Sequence, residues 1–437
     1  MNTLFPQRTD LLKRSDYPVL IVGGGQAGLS VSYYLKQAGI DHCIFEKRQV
    51  ASSWRHDRWD TFCLVTPNWQ CRLPDFPYQG DDPKGFMLKD QIVEYVESFA
   101  KSFEPPIVEG ITVTRATRGK DGRIAVSTSA GEFVTDHLVV ATGGYDIPIV
   151  PAYAATLPKH INQIHSVDYR NPESISPGEV LVIGSGQSGV QLVEDLHLAG
   201  RKVHLSVGQA PRSPRVYRGR ESTEWLMDMG YYNLTVDKHP LGDRAGERTN
   251  HYMTGRDGGH EIDLRKFANE GVRLYGSMVN IDGTQLTFGT DLRRNLDDAD
   301  DVYCGIRNDI DKYIAANGID APIEAPFVKV WEPENEVTQL DCDAAGITTI
   351  IWAIGFGPDY RWIELPAFDG RGAPKFKRGV SHVDGLYFVG LPWLNTWGSG
   401  RFLGVADDAK YLGDIIKSRI DSNSGSSTTS SGAIAAA

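Results

Sequence analysis

Short runs of apolar, β-branched residues recur along this chain, and four of them stop at glycine. They read PVLIVG (18–23), DHLVVATGG (136–144), EVLVIG (179–184) and TTIIWAIGFG (348–357). A run this short with no polar alternation predicts a strand buried on both faces, the habit of parallel sheets. After the first run the apolar spacing lengthens to a helical period. Gln26 to Ala38 predicts a helix with Gly39 as its stop, and HCIFE (42–46) predicts the next strand. The pattern then repeats, with a helix from about Gln187 to Ala199, a stop at Gly200 and a strand at KVHLSV (202–207). Each copy is a βαβ unit. The fold class expected is therefore α/β, with two Rossmann-like dinucleotide-binding domains in a three-layer, parallel-sheet architecture.

Between the second unit and the run at 348–357 the sequence is polar and mixed. Its clearest element is a helix from about Asn295 to Ala316, with Tyr303, Ile306, Ile310 and Tyr313 at helical spacing. The acidic run DDADD (297–301) falls in its first turns and reads as a solvated helix start, where carboxylates complement the macrodipole. From Ser422 onward the Ser-, Gly- and Ala-rich tail predicts disorder.

The turns between strand and helix carry the chemistry. Both read G-x-G-Q-x-G: Gly23, Gly25 and Gly28, then Gly184, Gly186 and Gly189. In such a loop the first glycine makes the tight turn, the second lets the backbone approach a pyrophosphate, and the third lets helix and strand pack closely. A carboxylate at the end of the second strand, roughly twenty residues on, binds a ribose hydroxyl. Glu46 stands there in the first unit. The second unit has HLSVGQA (204–210), without an acid, and then PRSPRVYRGR with Arg212, Arg215, Arg218 and Arg220. A missing acid with nearby arginines suits a 2′-phosphate. A solvated surface loop is the other reading of those arginines. Two dinucleotides on one chain imply electrons passing between them, which points to NADPH as hydride donor and FAD as resident acceptor.

Composition narrows the partners. The formal net charge of −11 argues against nucleic acid and against an anionic membrane. No apolar stretch is long enough for a transmembrane helix, and the N-terminus has no signal-type apolar region, so a cytoplasmic protein is expected. Five cysteines without a CxxC pair predict a reduced chain with no disulfide framework. Eleven histidines without ligand spacing predict no metal site. No G-x-S-x-G supports a serine hydrolase.

Taken with five further stretches, the chain resembles the flavin-containing monooxygenases, a group that includes the YUCCA-type enzymes, from about residue 18 to 418. It is identified as a divergent, bacterial-type member. After Glu46 comes ASSWR (51–55), similar to the family's Gly-Gly-x-Trp segment with both glycines replaced. TPNWQCRLPDFPY (66–78) resembles the segment beside the flavin ring, and VVATGGYDIPIVP (139–151) the family's ATG turn. IIWAIGFGPDY (350–360) and GLYFVGLP (385–392) resemble the closing strands of the FAD domain. The family linker F-x-G-x-x-x-H-x-x-x-(Y/F) is matched by KHINQIHSVDYR (159–170) only at His165 and Tyr169; Lys159 and Ile161 replace Phe and Gly.

The resemblance implies an FAD domain over 1–165 and 336–421, an inserted NADPH domain with a helical insertion over 166–335, and a tail over 422–437. It implies a cofactor-binding set of the six loop glycines with Gln26, Ala27, Glu46, Lys47, Trp54, Gln187, Ser188, Arg212, Arg215 and Gly390. It places Asn68 near the reactive flavin edge and His165 in the linker, and these two are the catalytic candidates. The run PWLNTWGSGRF (392–402) offers Trp393, Trp397 and Arg401 either to a substrate pocket or to the core. The polar stretch GRDGGHEIDLR (255–265) is a candidate loop over the nicotinamide.

The activity implied is NADPH- and FAD-dependent monooxygenation. A flavin hydroperoxide forms from molecular oxygen and oxygenates a soft nitrogen or sulfur atom of a small molecule, with the protein mainly excluding water. Baeyer–Villiger or YUCCA-like oxygenation of a carbonyl substrate, an NADPH oxidase or reductase releasing hydrogen peroxide, and a flavin-bound redox sensor are the alternatives. A disulfide-type reductase fits poorly, because Cys63 and Cys71 are not spaced as a redox pair. Homo-oligomerisation is left open.

Overall fold

The computed structural model describes residues 4–5, 8–247 and 249–428. In chain order the elements that position the site are β1 (Asp16–Val22), α1 (Gln26–Gln37), β2 (His42–Glu46), α2 (Lys89–Phe103), β3 (Gly131–Val140) and β4 (Asn162–His165). They continue with β5 (Glu179–Ile183), α3 (Gln187–Leu198), β6 (Val203–Ser206), α4 (Leu292–Asn317), β7 (Ile347–Trp352) and α5 (Val405–Thr428).

β1 lies at the centre of a nine-stranded sheet, with β2 on one side and β3 on the other, both parallel to it. Leu386–Phe388 adds a further parallel strand beside β3, and Ile107–Glu109 one beside β2. The chain thus leaves β1 towards both edges, which makes its C-terminal end a topological switch point. The unbroken apolar run of β1 serves two cores at once. Val19 and Ile21 pack under α1, α2 and α5, while Leu20 and Val22 face a second core with Phe133 of β3 and with Ala116 and Ile124 from the antiparallel strands Val113–Arg118 and Ile124–Thr128 that extend the sheet. The parallel sheet and its helices follow the apolar pattern; the antiparallel extension of the same sheet is not marked in it.

A second sheet of five parallel strands runs β4–β7–β5–β6 and ends with Arg273–Tyr275. Val180 and Val182 of β5 face α3 and α4, and Leu181 and Ile183 face the opposite core. One strand assignment is corrected here. The run at 348–357, expected to close the first sheet, is β7 and lies inside the second, between β4 and β5. An apolar run buried on both faces fits either sheet, and only its pairing with Val180–Ile183 decides. The strand at 386–388 does join the first sheet.

Two further expectations change. α4 begins at Leu292, and its acidic run is not wholly solvated. Asp300 is buried against Arg265 and Arg212, while Asp297 pairs with Arg265 and Lys329. α5 continues through 422–428, where the tail was expected to lose order; residues 429–437 lie outside the described residues. Among the described residues no helix is long and apolar enough to cross a membrane, and no group of three or more His, Cys, Asp or Glu is placed to hold a metal ion.

Candidate functional site

β1 delivers the chain into the turn Gly23–Gly25, and α1 starts at once with Gln26. Sterics explain the glycines. Gly23 has φ +109°, and a Cβ there would sit 2.5 Å from the carbonyl oxygen of Ala141, just past β3. A Cβ on Gly28 would sit 2.0 Å from the carbonyl oxygen of Gly23. Both obstacles are backbone, which cannot swing aside, so a side chain would push helix from strand. Gly25 has nothing within 4 Å of where a Cβ would stand. That open face lies at the start of α1, where unpaired N–H groups and the helix dipole favour a phosphate.

Glu46 ends β2 and is buried. Its carboxylate accepts the Gly24 N–H at 2.7 Å and the Arg48 N–H at 2.8 Å. A carboxylate offers about four lone-pair positions, so two remain for ribose hydroxyls. Gln26 accepts a hydrogen bond from Trp54 Nε1 at 3.1 Å and donates to the Gly400 carbonyl at 3.3 Å. Trp54 in turn stacks on Phe402 with ring centroids 5.7 Å apart. Gly390 has φ +79°, and a Cβ on it would come within 2.7 Å of the Ala27 Cβ. Gln26, Ala27, Trp54, Glu46 and Gly390 therefore gather around the first loop. Lys47 lies on its exposed rim, 3.4 Å from Asp146.

The second loop is built on the same plan. Gly184 has φ +104°, and its Cβ would sit 2.6 Å from the Ala353 carbonyl oxygen at the end of β7; a Cβ on Gly189 would lie 1.9 Å from the Gly184 carbonyl. Gly186 is nearly open, with Thr249 Cγ2 at 3.7 Å as its one near neighbour. Gln187 donates to the Met253 carbonyl at 2.6 Å and accepts the Met253 N–H at 3.2 Å. Ser188 follows it in the first turn of α3, half-buried. Gly23 N–H bonds Phe45 and Gly184 N–H bonds Ser206, so Val207 occupies the place that Glu46 holds in the first unit. The ribose end of the second cradle is apolar.

Four of the expected site residues find partners within the protein. Arg212 is 1% exposed, with Nη1 3.0 Å from Asp263, Nε 3.0 Å from Asp300, and its guanidinium 4.2 Å over the Tyr303 ring. Arg215 is 2% exposed, pairs with Glu221 at 2.6 Å and donates to the carbonyls of Val65 and Thr254. Both cations are ion-paired inside the protein, although Arg212 Nε, Nη1 and Nη2 and Arg215 Nε are buried without a hydrogen-bond acceptor; Arg218 and Arg220 are likewise paired, with Asp311 and Asp228. A guanidinium out of water needs such partners; Arg212 finds them on α4 and at Asp263, and Arg215 six residues on at Glu221 and at two carbonyls distant in sequence.

Asn68 is buried with both ends of its amide engaged, accepting the Met87 N–H at 2.8 Å and donating to the Asp82 carbonyl at 2.9 Å. It ties down the loop 82–87. His165, at the end of β4, holds the Gly355 carbonyl through Nε2 at 3.1 Å and accepts the Val167 N–H on Nδ1 at 3.3 Å. Burial lowers its pKa, which keeps the ring neutral. Both ring nitrogens thus meet backbone groups, and His165 joins the end of β4 to the turn at Gly355.

Sequence reasoning missed the residue that joins the two units. Asp195, 3% exposed on α3, accepts hydrogen bonds from Thr61 at 2.6 Å, Tyr169 at 2.7 Å and Arg256 at 2.8 Å. The linker motif's Tyr169 thus finds its use in this clasp. Burial, then Asp195, pushes the Tyr169 hydroxyl far above its ordinary pKa. Next to Asp195, Glu194 accepts from Thr254 at 2.9 Å and meets His260 at 2.6 Å, so 254–260 is pinned to α3 between the units. Buried acids at positions 8 and 9 of the helix were the available signal. Trp393 is core, buried against His239, whereas Trp397 and Arg401 stay half-exposed.

Comparison with known proteins agrees with this architecture. The pyridine nucleotide-disulphide oxidoreductase family model matches residues 20–224. An uncharacterized CzcO-like oxidoreductase of Geobacillus kaustophilus is 32% identical over 397 residues, covering 90% of this chain and 96% of that protein. A probable indole-3-pyruvate monooxygenase of Arabidopsis thaliana, YUCCA3, is 28% identical over 244 residues, 52% of this chain and 56% of its own. Among solved structures, the flavin-containing monooxygenase of Stenotrophomonas maltophilia superposes with a TM-score of 0.64 at 16% identity, covering 93% of this chain and all of that one. The chain belongs to the CzcO-like oxidoreductases, a family of flavin-containing-monooxygenase-like proteins.

Proposed function

We propose that this protein is an FAD- and NADPH-dependent monooxygenase that adds one atom of molecular oxygen to a soft nitrogen or sulfur atom of a small molecule. One observation carries the reading: two dinucleotide cradles of the same geometry share one chain, and only the first ends in a ribose-binding acid, Glu46 against Val207. FAD, when bound, supplies hydride acceptance from NADPH and activation of oxygen.

The chain's own residues supply placement. Glu46 orients a ribose, and Gly23 and Gly28 let α1 present its N–H groups to a pyrophosphate. Trp54 and Phe402 form a stacked apolar wall beside Gln26, suited to excluding water. Neither Asn68 nor His165 has a free group for proton transfer, which suits a reaction that needs little acid–base help. NADPH over NADH rests on the apolar Val207 end, since Arg212 and Arg215 are committed elsewhere. A disulfide reductase is disfavoured, because burial pushes Cys63 up to about 11 and Cys71 up to about 12, far from the thiolate that exchange requires.

The test is anaerobic reduction of the purified holoprotein by NADPH and by NADH, followed by oxygen with amines, thioethers or ketones as acceptors. Faster reduction by NADPH, with oxygen consumed in proportion to oxygenated amine or thioether, is the expected result. Ketone oxidation would move the assignment to carbonyl chemistry. Quantitative release of hydrogen peroxide with every acceptor would overturn oxygenation in favour of an oxidase. Purification without flavin would overturn the reading altogether.

A further inference from the structure

Both motifs carry glutamine immediately after the second glycine, and the structure gives the two side chains parallel tasks. Gln26 grips the turn at Gly400, and Gln187 grips the strap at Met253 through both ends of its amide. Turn and strap meet. Arg401, next to Gly400, donates to Asn250 Oδ1 at 2.7 Å, and Asn250 lies three residues before Met253. A path of polar contacts thus runs from the start of α1 to the start of α3. Thr249, on the same strap, borders Gly186, the open face of the second cradle. A phosphate seated there meets the strap directly.

Arg401 is suited to relaying that contact. Its other hydrogen bond goes to the Trp397 carbonyl, and its guanidinium lies 4.1 Å over the Trp397 ring, so its partners here are neutral. A carboxylate partner would lock the side chain in place; an amide oxygen holds it weakly enough to follow the strap. We propose that Arg401 is a positioning residue that couples the two cradles, transmitting occupancy of the second loop through Asn250 to the turn that Gln26 holds against the first. This rests on the proposed FAD and NADPH reading, and it adds a route by which the nicotinamide site sets the flavin site.

The experiment adds NADP+ to the flavin-loaded protein and follows hydrogen–deuterium exchange, with calorimetry for affinity. In the wild type, NADP+ protects peptides covering 249–254 and also those covering 398–404. In R401Q, protection of 249–254 persists while that of 398–404 is lost, flavin content is unchanged, and NADP+ binds about five- to tenfold more weakly, the low end of ordinary site-to-site coupling. N250A gives the same result from the other end of the contact and serves if R401Q folds poorly. R401K, which keeps a donor, recovers part of the effect. Undiminished protection of 398–404 in R401Q and N250A overturns the coupling while leaving the proposed function standing. Loss of flavin from R401Q overturns it as well, by making Arg401 part of the first cradle alone. Failure of the wild type to bind NADP+ overturns both readings together.

Discussion

The two cradles differ least at the glycine turns proposed to seat a pyrophosphate and most at their rims. Gly23 abuts the Ala141 carbonyl as Gly184 abuts that of Ala353, and Gly28 and Gly189 sit equally close to the glycine that opens each turn. Beyond the glycines the likeness ends. β2 closes in Glu46, with its carboxylate on the Gly24 N–H, whereas the matching place, just past β6, holds Val207. α1 carries Ser30 and Ser32 on its buried face; α3 carries Glu194 and Asp195, which bind the neighbouring unit and the 254–260 segment. Phosphate binding is thus a generic backbone service, repeated twice, and the identity of the ligand and the fit of the two units are decided by side chains around it.

The sharpest way to break the likeness is one glycine at a time. G28A should abolish flavin retention and lower stability by about 1–3 kcal/mol or more, as expected for overpacking against fixed backbone. G189A should leave the flavin in place and abolish reduction by NADPH. Flavin absorbance and anaerobic reduction separate the two, and loss of flavin from G189A would show that the cradles are not independent.

Next in size is the clasp. Asp195→Ala leaves Tyr169 and Arg256 without their acceptor, and removal of one partner from a buried charged pair costs about 3–5 kcal/mol. Denaturant unfolding should show that loss, together with easier proteolysis between the units. A change under ~1 kcal/mol would mean that Asp195 does not join them.

The rim comes third. Glu46→Gln removes a charged acceptor, and flavin affinity should fall about tenfold, the worth of roughly 1.4 kcal/mol. Val207→Glu should depress the use of NADPH more than that of NADH; an equal loss with both would remove the rim from the account of specificity.

The smallest effects belong to Asn68 and His165, the two catalytic candidates whose polar atoms are bonded to backbone. Asn68→Ser should cost about 1–2 kcal/mol through the two lost bonds to the loop 82–87, with oxygenation per bound flavin unchanged. For His165, burial lowers the folded pKa below the unfolded one. The unfolded chain therefore binds the proton first, so the stability this residue contributes is fully present above the ordinary histidine pKa and is lost as pH falls through it. His165→Asn should show a shallower loss of stability below pH ~6.5 than the wild type, by no more than about 1.4 kcal/mol per pH unit. Identical slopes would mean that His165 is not held neutral.

These corrections mark where the sequence was legible. The βαβ units, the six glycines, Glu46 and the amphipathic course of α4 were all readable, because each depends on contacts within a few residues or on a period of two or 3.6. The sheet that receives β7 was not, since an apolar strand buried on both faces carries no mark of its neighbours. Arg212 and Arg215 looked like a phosphate site because sequence lists charges without their partners. Asp263, Asp300 and Glu221 supply those partners from other elements.

Sequence by itself determined that this chain has two dinucleotide turns and that only the first carries an acid. A glycine with positive φ and no room for a Cβ is a local necessity, and its spacing survives in the linear code. Tertiary structure alone decided which cations are spent inside, that Asn68 and His165 hold loops and joints, and that Gln26 and Gln187 are linked through Arg401. Burying a polar group obliges it to find a partner wherever the fold brings one, and that partner's distance along the chain is set by topology rather than by pattern.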